Sequence, residues 1–100
     1  MNILFLGDIV GVTGCEAVKK HLPNIKKEFR IDFVIVNGEN AAIEGVGITK
    51  EITNNLFDQG VDVITTGNHV WDQKETVKHI EHEKRLLRPI NLPLTSPGEG

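Results

Sequence analysis

A single cysteine, Cys15, in 100 residues excludes an intrachain disulfide and fits a reducing compartment. No apolar run approaches the roughly 18–20 residues needed to span a bilayer. The apolar stretch at the N-terminus breaks at Asp8 and lacks the basic flank of a secretory signal. A cytoplasmic protein that does not enter the membrane is therefore the default expectation. Positive charge is not in excess either: 11 basic against 14 acidic residues leave a net charge of −3. That balance argues against an extended nucleic-acid surface, but not against a small phosphate substrate, because a metal can supply the positive charge. There is no internal repeat and no low-complexity segment. Gly7, Gly11 and Gly14 are spaced G-x-x-x-G-x-x-G rather than G-x-G-x-x-G, and no Walker A lysine motif is present. A Rossmann-type or P-loop nucleotide site is accordingly disfavoured.

What is present is an alternation of apolar runs and amphipathic segments. With 39% hydrophobic and 25% charged residues, the composition suits one small globular domain. Asn2 to Leu6 reads as a buried strand, followed by a glycine-bearing loop from Gly7 to Gly14. Thr13 and Glu16 have capping-box spacing, which predicts a helix from about Gly14 or Cys15. Its apolar face would hold Ala17, Val18, Leu22, Ile25 and Phe29, and Pro23 should kink or divide it. Asp32 to Asn37 is continuously apolar from Phe33 to Val36, the pattern of a strand buried on both faces in a parallel sheet. After a loop from Gly38 to Gly47, Thr49 should cap a helix carrying Ile52, Leu56 and Phe57 and ending at Gly60. Val61 to Thr66 is a third strand. Asp72 and Glu75 precede a polar helix near Gln73 to Glu83, a short strand is expected within Leu86 to Leu94, and the last residues are turn-like with no closing element. The βαβαβ order implies right-handed crossovers and a parallel sheet covered by helices, an α/β unit over residues 1–100. Such a thin sheet leaves an uncovered edge, so association, including a homo-oligomer, is expected.

Each strand ends in a polar motif: Gly7-Asp8, then Asn37-Gly38-Glu39-Asn40, then Gly67-Asn68-His69. In open α/β sheets ligands bind beyond the carboxyl ends of the strands. Asp8, Glu39, Asn40, Asn68 and His69 should therefore meet on one rim. All are oxygen or nitrogen ligands suited to a hard or borderline divalent metal. A carboxylate such as Glu39 can bridge two metals about 3.5–4 Å apart. His69 can serve as ligand or general acid. The plainer readings are an Asp8 turn, a solvated Glu39, an Asx turn at Asn40, and helix N-capping by Asp72. Among Lys78, Glu81, Glu83 and Lys84, His79 and His82 read as a solvated face; His21 adjoins the Pro23 break, and Trp71 reads as a packing residue. Cys15 lies near a helix N-terminus, where thiolate is favoured, but no base is in view and packing is the better reading.

Taken in order, these motifs resemble the calcineurin-like metallophosphoesterases. The second one, Asn37-Gly38-Glu39-Asn40, is similar to a narrower bacterial branch, the YmdB-like 2′,3′-cyclic-nucleotide 2′-phosphodiesterases. The resemblance extends through Ile3 to Gly11, Asn40-Ala41-Ala42, Gly67 to Asp72 and Arg88 to Pro93, and so covers essentially the whole chain. It implies the N-terminal half of a metallophosphoesterase-type α/β sandwich and a two-metal site. Asp8, Glu39 and Asn40 would hold the first metal; Glu39, bridging, and Asn68 would hold the second. The ions would be iron or manganese, with zinc a further choice. A metal-bound hydroxide would attack phosphorus of a small phosphodiester or nucleotide, and His69 would protonate the leaving group. In that family, histidines from a C-terminal half complete the metal shell. Those ligands fall outside these 100 residues, so the isolated chain is expected to bind metal weakly and to turn over slowly or not at all. The competing reading is a non-catalytic α/β binding or interaction module with an incomplete metal site. Metal identity, natural substrate and oligomeric state stay open.

Overall fold

The computed structural model describes residues 1–41, 48–67, 80, 83–88 and 98–100. The elements run β1 (Ile3–Leu6), α1 (Gly11–Glu28), β2 (Phe33–Asn37), α2 (Lys50–Asp58), β3 (Val63–Thr65) and β4 (Leu86–Leu87). All four strands are parallel and lie in the order β1-β2-β3-β4. The expected α/β architecture is therefore present, with each strand beside its predecessor in sequence.

Register decides which side chains share a face. Leu6 pairs with Val36, Val36 with Ile64, and Ile64 with Leu86, so these residues form one row across the sheet. That row faces the helices. Val34, Val36, Ile64 and Leu86 are fully buried against Val18 and Leu22 of α1 and Leu56 of α2. Each such aliphatic side chain contributes about 1.5–3 kcal/mol by leaving water. The opposite row is only partly covered: Ile3 and Phe5 are each 58% exposed, and Phe33, Ile35 and Val63 are half-buried. The sequence reading of β1 as a buried strand, and of β2 as buried on both faces, is thus corrected. The two helical crossovers sit on one face, because a right-handed crossover between successive neighbours always lands on the same side.

Helix α1 departs from expectation at its start. It begins at Gly11, not near Gly14, with Val10 as an N-cap that makes no side-chain bond. Gly11 adopts φ +60°, a conformation that glycine takes without steric cost. Its N–H reaches Asn40 O at 2.9 Å, so a long-range bond fixes the entry to the helix. Thr13 then lies inside the helix rather than capping it. Pro23 does not divide the helix, which continues to Glu28. Pro23 and Lys19, whose carbonyl it cannot serve, are both exposed, so water can satisfy the carbonyl. Val18 and Leu22 are buried and Ile25 half-buried as read, whereas Ala17 and Phe29 are exposed.

Helix α2 follows the sequence closely. Thr49 Oγ1 accepts the Ile52 N–H at 3.2 Å, and the chain leaves through Gly60 at φ +103°. The C-terminal residues do take part in the sheet: Glu99 bridges Leu87, and its carbonyl accepts the Arg88 N–H at 2.8 Å. The bridge adds to the expectation of a turn-like end without a closing element. The predicted helix near Gln73 to Glu83 and its Asp72–Glu75 capping pair fall almost wholly outside the described residues.

The amino edge of the sheet is held by carboxylates and an amide with structural work. Asp62 Oδ2 accepts the Val34 N–H at 2.8 Å, and Asp32 Oδ2 accepts the Asn2 N–H at 2.8 Å. Asn2 Nδ2 donates to the carbonyls of Phe29 and Arg30, both at 3.1 Å, which closes the end of α1. The carboxyl edge is organised differently.

Candidate functional site

The loops beyond β1, β2 and β3 are tied together past the strand ends. Ile9 N–H donates to Asn37 O at 3.0 Å, and Val10 bridges Asn40 in parallel register. On the other side Gly38 N–H donates to Thr65 O at 2.9 Å. Because β2 lies between β1 and β3, the Gly38–Asn40 loop is the central one of the three. A side chain from it can reach toward both neighbours. This follows from strand order, and it singles out Glu39 from the other motif residues.

Glu39 is gripped at its backbone and seated at its tip. Its N–H donates to Asn37 Oδ1 at 3.0 Å, an Asx turn. Its carboxylate lies directly over Gly67, at the end of β3, where a Cβ would overlap it. The sequence reading offered an Asx turn at Asn40; the turn forms at Asn37 instead. Asn40 Oδ1 is buried and has no hydrogen-bond partner. Buried polar atoms are nearly always satisfied, and one that is not calls for an explanation such as an ion. Asp8 is exposed on the loop after β1 and borders a groove of about 360 Å³ that Ile9, Val18, His21 and Leu22 also line.

Asp8 on the loop after β1, and Glu39 and Asn40 on the loop after β2, stand beyond the carboxyl ends of adjacent strands. Asn68 and His69 lie outside the described residues, as do Trp71, Asp72, His79 and His82. Gly67 is described, so the start of the third motif is located. Among the described residues no three His, Cys, Asp or Glu side chains are grouped so that they could hold a metal ion. The residues present fit a metal in part: a buried amide oxygen awaits a partner, and two carboxylates stand on adjoining loops.

Cys15 and His21 both belong to α1, and His21 lines the groove that Asp8 borders. Cys15 Sγ donates to Ala41 O at 3.5 Å, and burial pushes its thiol up, away from the reactive thiolate. The packing reading of Cys15 is the one its surroundings match. It lines a second groove, of about 400 Å³, with Lys19, Leu56 and Gln59, between α1 and α2. His21 is exposed on α1. Sequence reasoning missed Asn37 as the residue that fixes Glu39. The signal was available, since Asn two residues before a loop residue is the spacing of an Asx turn.

Similarity to known proteins runs along the whole chain. A 2′,3′-cyclic-nucleotide 2′-phosphodiesterase of Bacillus subtilis is 46% identical over 100 residues, which take in 100% of this chain and 38% of that protein. The crystal structure of a hypothetical protein from Thermus thermophilus superposes with a TM-score of 0.90 at 42% identity, covering 100% of this chain and 38% of the other. That of a novel phosphatase from Mycoplasma pneumoniae gives 0.89 at 36% identity, covering 98% and 36%. The chain therefore spans little more than a third of the length of these relatives. A family model described as YmdB-like protein matches residues 4–100. By that match, the chain belongs to the YmdB-like protein family.

Proposed function

We propose that this chain carries part of the active site of a metal-dependent phosphodiesterase acting on small phosphate esters, 2′,3′-cyclic nucleotides first among them. The observation that carries the reading is the placement of Glu39 on the central loop of the rim, its carboxylate against Gly67 and its neighbour Asn40 presenting a buried, unpartnered amide oxygen. The names of two relatives, a cyclic-nucleotide phosphodiesterase and a phosphatase, support the reaction class.

In this reading Asp8, Glu39 and Asn40 hold one divalent metal, and Glu39 with Asn68 holds a second. Iron or manganese suits the mixed oxygen and nitrogen set, and zinc is accommodated by the same donors. The metals supply Lewis acidity toward a phosphoryl oxygen. His69 holds the proton destined for the leaving alkoxide. Asp8 and Glu39 contribute the negative charge that draws the cations in, and Asn40 adds a neutral oxygen without further charge. Four protein ligands shared by two metals are few, so the chain by itself binds metal weakly and acts slowly or not at all. The reading places the protein in the cytoplasm with a soluble nucleotide substrate; among the described residues no helix is long and apolar enough to cross a membrane.

A second reading, a non-catalytic α/β module, draws on the lack of a His, Cys, Asp and Glu cluster among the described residues. Metal content decides between the two. Purified chain is loaded with Mn²⁺, dialysed against a submillimolar excess and analysed by elemental mass spectrometry, alongside Asp8→Asn and Glu39→Gln. The proposal expects uptake by the parent chain that either substitution lowers. Equal uptake in all three overturns it in favour of the module.

A further inference from the structure

The three strand-end motifs each contain a glycine, and the three glycines have different surroundings. At Gly7 a Cβ would meet nothing within 4 Å. At Gly38 it would press on Ile48 Cδ1 and Ile64 Cγ2, both at 3.0 Å, so that glycine serves the apolar core. At Gly67 the atoms it would meet are the carboxyl carbon and both oxygens of Glu39. The backbone does not demand glycine there: among the described residues the glycines in the left-handed region are Gly11, Gly60 and Gly98. An ordinary side chain could follow the Gly67 backbone, but it would occupy the space that the Glu39 carboxylate fills.

We infer that Gly67 is a positioning residue, whose missing side chain forms the seat that sets the Glu39 carboxylate at the end of β3. The inference rests on the metal-site reading above. Two constraints then act on Glu39 from opposite ends. Asn37 Oδ1 holds its backbone N–H at 3.0 Å, and the bare backbone of Gly67 receives its carboxylate. A carboxylate located in this way is pre-organised to span from the β1 loop to the residues after β3, and little rotamer freedom remains to be lost on metal binding. A methyl group at residue 67 meets the far end of a flexible side chain, so the fold can yield by turning the carboxylate aside. Metal affinity changes while the core does not.

The test is Mn²⁺ titration of the chain followed by electron paramagnetic resonance, with thermal unfolding measured in parallel. Gly67→Ala is expected to weaken Mn²⁺ binding by roughly 10- to 100-fold, the range found when residues that orient metal ligands are altered. Its melting temperature should stay close to that of the parent. Glu39→Asp withdraws the carboxylate by one methylene, so in the double variant with Gly67→Ala the two losses should be less than additive, the mark of direct coupling. Gly67→Ala binding like the parent while Glu39→Gln binds weakly overturns the seat and leaves the site reading in place. No binding by the parent at millimolar Mn²⁺, or no loss in Glu39→Gln, overturns the site reading and the seat with it. If Gly67→Ala fails to fold, adding Glu39→Ala should restore folding by removing the overlap; failure to restore it overturns the seat.

Discussion

The side-chain oxygen of Asn37 accepts the backbone N–H of Glu39 at 3.0 Å, and the carbonyl of the same Asn37 accepts the N–H of Ile9 at 3.0 Å. One residue at the end of β2 therefore shapes its own loop and holds the loop beyond β1. Replacing Asn37 by Leu keeps the side-chain bulk and the carbonyl but removes the turn. A stability loss of about 1 kcal/mol is expected from the broken hydrogen bond. Urea unfolding at constant m-value would measure it.

Thr49 offers a test of local structure at the start of α2. Its hydroxyl caps α2 through Ile52 N–H, and its carbonyl receives Thr53 Oγ1 at 2.8 Å. Thr49→Ala should cost about 0.5–2 kcal/mol, with the loss appearing as a lower urea midpoint.

Arg30 follows the end of α1 at φ +51°, in the left-handed region that costs a side-chain-bearing residue about 1 kcal/mol. Arg30→Gly relieves that strain and gives back part of the gain through the freer unfolded chain. The expected outcome is a net stabilisation of up to about 1 kcal/mol, visible as a rise in melting temperature.

Leu22 is fully buried where α1 meets the sheet. Leu22→Ala should destabilise by about 2–5 kcal/mol through lost burial and an unfilled cavity. Denaturant titration tests this directly. A loss well below about 1 kcal/mol would show that α1 does not pack as described.

The Cys15 thiol, raised by burial, should alkylate more slowly with iodoacetamide at neutral pH than the same residue in a short peptide. The sign for stability follows from the same shift. Its folded-state pKa lies above the unfolded value, so the associated stability is complete below the unfolded pKa and fades as pH rises through the folded one. Alkylation rate against pH, with and without urea, checks both statements.

The strands and α2 were legible from local pattern, because an apolar run and a Thr cap with its target N–H three residues on are local signals. The start of α1 was not. The Thr13–Glu16 spacing pointed later, whereas the Gly11–Asn40 bond, between residues far apart in sequence, starts the helix earlier. The half-exposed second face of β1 and β2 was also invisible, since an apolar run does not say which of its faces finds a partner. The places of Asp8, Glu39 and Asn40 just beyond β1 and β2 could be read from strand-end position alone. The seat at Gly67 could not, because glycine in sequence reads first as backbone freedom, and here it means room.

Strand order carries a last consequence, for how the chain folds. Each strand joins the one made just before it, with no later segment threading between earlier ones. The sheet can then grow in the direction of synthesis, β2 docking on β1 as soon as α1 has emerged, and β3 on β2 after α2. Every intermediate on that route exposes a single growing edge. The loop that carries Glu39 stays at that edge until β3 arrives, so its carboxylate finds its seat only when the third strand is in place.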